Sequence, residues 1–152
     1  MKTKLVLALL ATALAGSAIA QVKPEDAIKF RQSGYGFMAW NMQRIKMNVE
    51  GGQYNKDEVI KAANAIQAIA NSGMGALYLP GTDKGKGWEE TRANANIWTD
   101  KEKLGKAAME FNKEANEMAK VAQAGDAAAV GAQLGKLGGT CKGCHDDFKA
   151  KR

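Results

Sequence analysis

The chain has 152 residues, a formal net charge of +6 and 25% charged residues, which bounds it to one domain with a core of its own. The positive surplus is mild, and no basic run is interleaved with aromatics, so composition argues against nucleic-acid binding and leaves room for an acidic partner.

The first element is not part of the fold. Met1-Lys2-Thr3-Lys4 is a short basic lead, and "LVLALLATALAG" is an apolar run too short to span a bilayer. Ala18-Ile19-Ala20 offers small residues for a signal peptidase, so residues 1–20 read as a cleaved secretory signal peptide and residues 21–152 as the domain. No later segment approaches membrane-spanning length, and the expected product is exported.

Helical spacing then recurs four times, without any stretch of strand-like alternation. The first helix opens at Lys23-Pro24-Glu25, carries Ile28, Tyr35, Met38, Met42, Ile45 and Val49 on one face, and stops at Gly51-Gly52. It also carries Phe30, Phe37, Trp40 and Met47 on nearly the opposite face, and a helix apolar on two sides predicts a second subunit: a homodimer through this helix. The second helix opens at Asn55 with Glu58 in capping-box spacing, has the stripe Val59, Ala62, Ile66, Ile69, Gly73 and Leu77, and ends by Pro80.

Residues 80–99, "PGTDKGKGWEETRANANIWT", read as a long connection anchored by Trp88 and Trp98. Thr99 and Glu102 have capping-box spacing before the third helix, whose stripe is Leu104, Ala108, Phe111, Ala115, Met118 and Ala122, and Gly125 breaks it. Asp126 is placed to cap the fourth helix, with the stripe Val130, Leu134, Leu137, Cys141, Cys144 and Phe148. The fold class is therefore all-α: an antiparallel up-down-up-down four-helix bundle.

Cys141 and Cys144 continue the buried face of the last helix, beside His145, the one histidine of the sequence. A thioredoxin-like C-x-x-C would need a strand-to-helix junction, and none is read here. A structural zinc ion wants four ligands, which these residues do not supply. A disulfide between positions three apart in a helix is geometrically awkward and leaves the histidine unexplained. "CKGCH" fits the remaining reading, covalent attachment of haem c through Cys141 and Cys144 with His145 binding the iron. With one histidine, a second histidine ligand is excluded, and Met38 and Met42 read as core residues before they read as ligands. Gly131, Gly135 and Gly138 beside this stripe suggest room for a bulky flat group or a close helix crossing.

These segments resemble the cytochrome c′ family, the class II c-type cytochromes: "KPEDAIKFRQS" opening the first helix, "PGT…TRANANIW" in the connection, and "CKGCHDDFK". The resemblance implies a periplasmic homodimer with covalently bound haem and five-coordinate iron that binds nitric oxide and carbon monoxide. No general acid or base is evident near an open iron, so the chain reads as a gas binder and not an enzyme. An electron carrier docking an acidic redox partner is the alternative. By the same resemblance Cys141 and Cys144 are the thioether positions and His145 the iron ligand, Arg31, Gln32 and Thr91 contact the haem propionates, and Tyr35 covers the open side of the iron. Lys149 stands where many members carry arginine, keeping the charge but losing the planar fork.

Overall fold

The computed structural model describes residues 22–151, so the expected signal segment lies outside the described residues. Among them are four helices and no strands: α1 (Pro24–Glu50), α2 (Lys56–Ala70), α3 (Lys101–Ala124) and α4 (Ala127–Phe148), with short 3₁₀ turns at Met74–Leu77 and Ala95–Ile97. Each helix packs on the next, and α4 returns to α1 with a sparser contact, which closes the four-helix bundle. None of these helices is long and apolar enough to cross a membrane.

The ends follow from local chemistry. Pro24 opens α1 at a position where its missing N–H costs nothing. Asn55 Oδ1 accepts from the Glu58 backbone N–H at 3.1 Å, and Asp126 Oδ1 from that of Ala129 at 2.6 Å, as the sequence predicts. Gly125 ends α3 at φ +82°, where a side chain would be strained and would also collide with Lys56.

Three boundary expectations are corrected. The cap of α3 is Asp100, not Thr99: Asp100 Oδ1 accepts from Lys103 N at 3.3 Å, while the Thr99 hydroxyl donates to Asn96 O and finishes the preceding 3₁₀ turn. The second helix ends at Ala70, well before Leu77. Asn71 returns both its backbone and side-chain N–H groups to Gln67 O, and Gly73 takes φ +81°. Of the two tryptophan anchors, Trp98 is half-buried and donates to Asp83 Oδ1 at 2.9 Å, but the Trp88 side chain is 66% exposed, its Nε1 donating to Ser33 Oγ at 2.9 Å. Ile97 and Thr82 are what the connection buries.

The largest buried apolar cluster lies at one end of the bundle, while Ala27, Ile28, Ile97 and Phe148 are buried at the other. Ile45, Val59, Ala62, Ile66, Ala115, Met118, Ala122, Val130 and Leu137 form one buried cluster, with Met42, Val49, Phe111 and Leu134 packed against it. Each large side chain buried there contributes about 1.5–3 kcal/mol relative to exposure. Gly131 marks a close crossing, since a Cβ there would lie 3.1 Å from Val49 Cγ1 on α1. The cluster takes nothing from α1 before Met42, from α3 before Phe111 or from α4 after Leu137. Ala108, assigned to the third stripe, is accordingly exposed. The opposite end is where the connection, Tyr35 and the CKGCH segment meet.

Candidate functional site

Cys141 and Cys144 lie one turn apart on α4, both half-buried and both free thiols. Burial pushes each thiol above the ordinary cysteine value, so both are neutral at pH 7. This is not the lowered pKa of a redox-active C-x-x-C, which argues against the thioredoxin-like reading. His145 follows on the next position of the helix and stays accessible. Partial burial lowers its pKa, and the cations Lys149 and Arg92 push the same way against Asp146, which favours the neutral imidazole that binds metals.

The helix end that carries these groups is stitched to the connection. Lys149 leaves α4 in an extended conformation and pairs with Ala93; Asn94 N donates to Phe148 O at 2.9 Å and Ala150 N to Arg92 O at 2.8 Å. Arg92 adds two donations from its guanidinium to Ala150 O, at 3.1 and 2.6 Å. Sequence reasoning singled out Lys149 but missed Arg92. The signal available was its place beside Thr91, which the spacing of helices alone does not read.

Across from α4, Tyr35 on α1 and Tyr78 at the end of the Met74–Leu77 turn bring their hydroxyls to 2.9 Å. Burial is the main cause that raises both phenol pKa values, and Cys144 lies close enough to disfavour both phenolates further. Tyr35 is nonetheless 42% exposed. The two phenols are thus partly open to solvent on the side of the site near Cys144. Tyr78 was also missed by sequence reasoning, because it sits in a segment read as the tail of the second helix.

Arg31 is 4% exposed, far from a solvated helix face. Its Nη1 donates to Thr82 Oγ1 at 2.6 Å and Leu77 O at 3.3 Å; its Nη2 donates to Thr82 O at 2.7 Å and Thr91 Oγ1 at 3.4 Å. Both terminal nitrogens are thus engaged by the connection, and burial lowers the arginine pKa. Gln32 clasps the same connection with both ends of its amide: Oε1 accepts from Trp88 N at 2.7 Å and Nε2 donates to Glu89 O at 2.9 Å. Arg31 and Thr91 are therefore brought together at Tyr78 and Tyr35, while Gln32 grips the connection further along. Met38 is buried and Met42 packs against the core cluster.

A groove of about 320 Å³ between α3 and α4 reaches Cys144 from outside, with Thr140 and Gly143 on its wall. Lys103 and Asp147 are paired across it at 2.7 Å. A Cβ at Gly135 or Gly138 would meet no atom within 4 Å, unlike one at Gly131, so close helix crossing accounts for one of the three glycines.

The donor set fits haem c. Two neutral thiols one turn apart could form the thioether bonds, and the neutral imidazole beside them could bind the iron. No group of three or more Cys, His, Asp or Glu side chains placed to hold a bare metal ion occurs among the described residues.

Comparison with known proteins leads to the same place. Residues 26–149 match the family model for cytochrome c′. The cytochrome c′ of Rhodocyclus tenuis is 60% identical over 129 residues, covering 85% of this chain and 97% of that protein. That of Allochromatium vinosum is 51% identical over 144 residues, covering 94% and 93%. A solved cytochrome c′ described as showing an unusual ligand-controlled dimer dissociation is 51% identical, with a TM-score of 0.83 over 87% of this chain and 100% of that one.

Proposed function

The chain belongs to the cytochrome c′ family, and from that premise we propose that it is a periplasmic gas-binding haem protein, acting in nitric oxide sequestration or transfer. The family's cofactor is haem c, and Cys141, Cys144 and His145 are the residues that hold it. When bound, it supplies an iron that takes up diatomic ligands and changes between ferric and ferrous states.

The observation that carries the reading is what faces Cys144. With no second histidine in the chain, with Met38 and Met42 engaged in packing, the groups across the cleft are the phenols of Tyr35 and Tyr78. Their raised pKa values keep them protonated, and a protonated phenol is a poor iron ligand. With haem bound, His145 would be the sole protein ligand to its iron. Two phenols make a weak acid–base pair at pH 7, so the protein binds its ligand without turning it over.

Tyr35 is the gate in this reading: its phenol lies near enough to Cys144 to feel its charge, and its displacement is charged against ligand affinity, tenfold for about 1.4 kcal/mol. Tyr35→Ala should bind carbon monoxide faster and about tenfold more tightly with haem attachment unchanged. Stopped-flow association rates check this, and equal rates in the two proteins would remove Tyr35 from the gate.

The exposed stripe on α1 supports a homodimer. Phe30, Phe37, Trp40 and Met47 are each about half exposed or more, and the Phe37 and Trp40 rings lie tilted at 5.4 Å, an apolar surface that a second copy would cover. Export rests on the basic lead and Ala18-Ile19-Ala20. The formal net charge of +6 leaves room for a second reading, electron exchange with an acidic partner.

A further inference from the structure

We propose that Tyr78 is a positioning residue that latches Tyr35 across the cleft, so that a ligand entering past Tyr35 must first break the bond between the two hydroxyls. The proposal rests on the reading of Tyr35 as the gate.

The two oxygens are 2.9 Å apart, although the residues are separated by 43 positions and come from a helix and a turn. The bond is solvent-accessible, so it is not needed to satisfy groups that water could not reach. What it does is fix one ring relative to the other. Tyr78 is the better fixed of the two. Its backbone N–H closes the 3₁₀ turn on Gly75 O at 3.1 Å. Its ring lies 4.5 Å from the Arg31 guanidinium carbon, a cation–π contact. Arg31 is itself held by Thr82 and Leu77.

The turn that carries Tyr78 is seated on α1 next to the gate. Met74 rests its thioether against Gly34, the position preceding Tyr35, where a Cβ would come within 2.9 Å of both Sδ and Cε. Among the described residues, Tyr35 makes no second side-chain hydrogen bond or ring contact. Its hydroxyl reaches Tyr78, and its ring remains 42% exposed. A side-chain rotation of Tyr35 therefore costs the hydroxyl bond and little else, while Tyr78 stays as the post to which it returns.

The test uses the haem-loaded protein and carbon monoxide. Tyr78→Phe removes the hydroxyl and keeps the ring beneath Arg31. It should raise the association rate roughly 2- to 10-fold, the range expected for one hydrogen bond lost from the closed state. Tyr35→Phe should do the same from the other side, and the double variant should gain no more than either alone. Ultraviolet resonance Raman of the tyrosine hydroxyls gives a readout independent of rates. In a Tyr54→Phe background, which silences the third tyrosine, carbon monoxide should change the hydrogen-bond signal of the parent protein and leave that of Tyr78→Phe unchanged. Parent-like rates in Tyr78→Phe alongside fast Tyr35→Ala would overturn the latch and leave the gate standing. Parent-like rates in Tyr35→Ala would remove the gate, and the latch with it.

Discussion

Where α1 ends and α4 begins, Ile45, Val59, Ile66, Met118, Val130 and Leu137 are sealed from water; where α1 begins and α4 ends, Tyr35, Cys141, Cys144 and His145 remain accessible or half-buried. The first region is held by apolar packing. The second adds to a smaller set of buried apolar side chains, Ile28, Ile97 and Phe148 among them, a series of directed polar contacts: Arg31 on Thr82, Gln32 on Trp88 and Glu89, and Arg92 on Ala150. Packing can be dense where nothing needs to enter. Hydrogen bonds to a connection hold a cleft in shape without filling it, which is what a ligand site requires.

The sharpest way to break this division is Met118→Ala, in the middle of the sealed region. It should cost about 2–5 kcal/mol of stability, read from denaturant or thermal unfolding, and leave the carbon monoxide spectrum and rates unchanged. Altered ligand binding in that variant would mean that the two regions are not separable.

The next effect lies on the outer face of α1. Trp40 is 52% exposed in the single chain, stacked on Phe37 and lying 4.8 Å from the Arg44 guanidinium, which also pairs with Glu58. If this stripe is the dimer contact, Trp40→Ala should weaken association by about 2 kcal/mol or more. Sedimentation should show a dimer for the parent protein at tens of micromolar and a shift toward monomer for the variant. Monomeric mass for both would dissociate the stripe from assembly.

The smallest effect concerns the polar clasp between α3 and α4. Glu114 accepts from Gln133 Nε2 at 2.7 Å and pairs with Lys113 at 3.2 Å, and these contacts lower its carboxyl pKa. A depressed folded-state pKa means that its stabilisation is present above the ordinary carboxylate range, near pH 4.3, and is lost as pH falls through the lower folded value. Glu114→Gln should therefore flatten that part of the acid-unfolding profile while leaving neutral-pH ligand binding alone. An unchanged profile would make Glu114 a bystander.

The two regions also differ in how far the sequence foretells them. The sealed region is written in spacing: Val130, Leu134 and Leu137 follow the helical repeat, and Asn55 and Asp126 cap where their spacing says. Cys141, Cys144 and His145 are equally legible, because thioether attachment demands that pattern on one helix face. The rest of the site is not periodic. Tyr78 reaches Tyr35 only because α2 stops at Ala70, and that stop depends on Asn71 and Gly73 overriding a stripe that runs on to Leu77. Arg31 meets Thr82 and Thr91 across more than fifty residues, through a connection whose path no local pattern encodes.

The central claim is that His145 is the only protein ligand to iron, with the cleft across from it held by Tyr35 and Tyr78 and not closed by a methionine. Absorption spectra of the ferrous protein with and without carbon monoxide test it most directly. The account predicts a high-spin five-coordinate spectrum that sharpens and shifts on adding carbon monoxide at neutral pH. A low-spin six-coordinate spectrum before the gas is added, and lost in Met38→Ala, would contradict it and favour electron transfer.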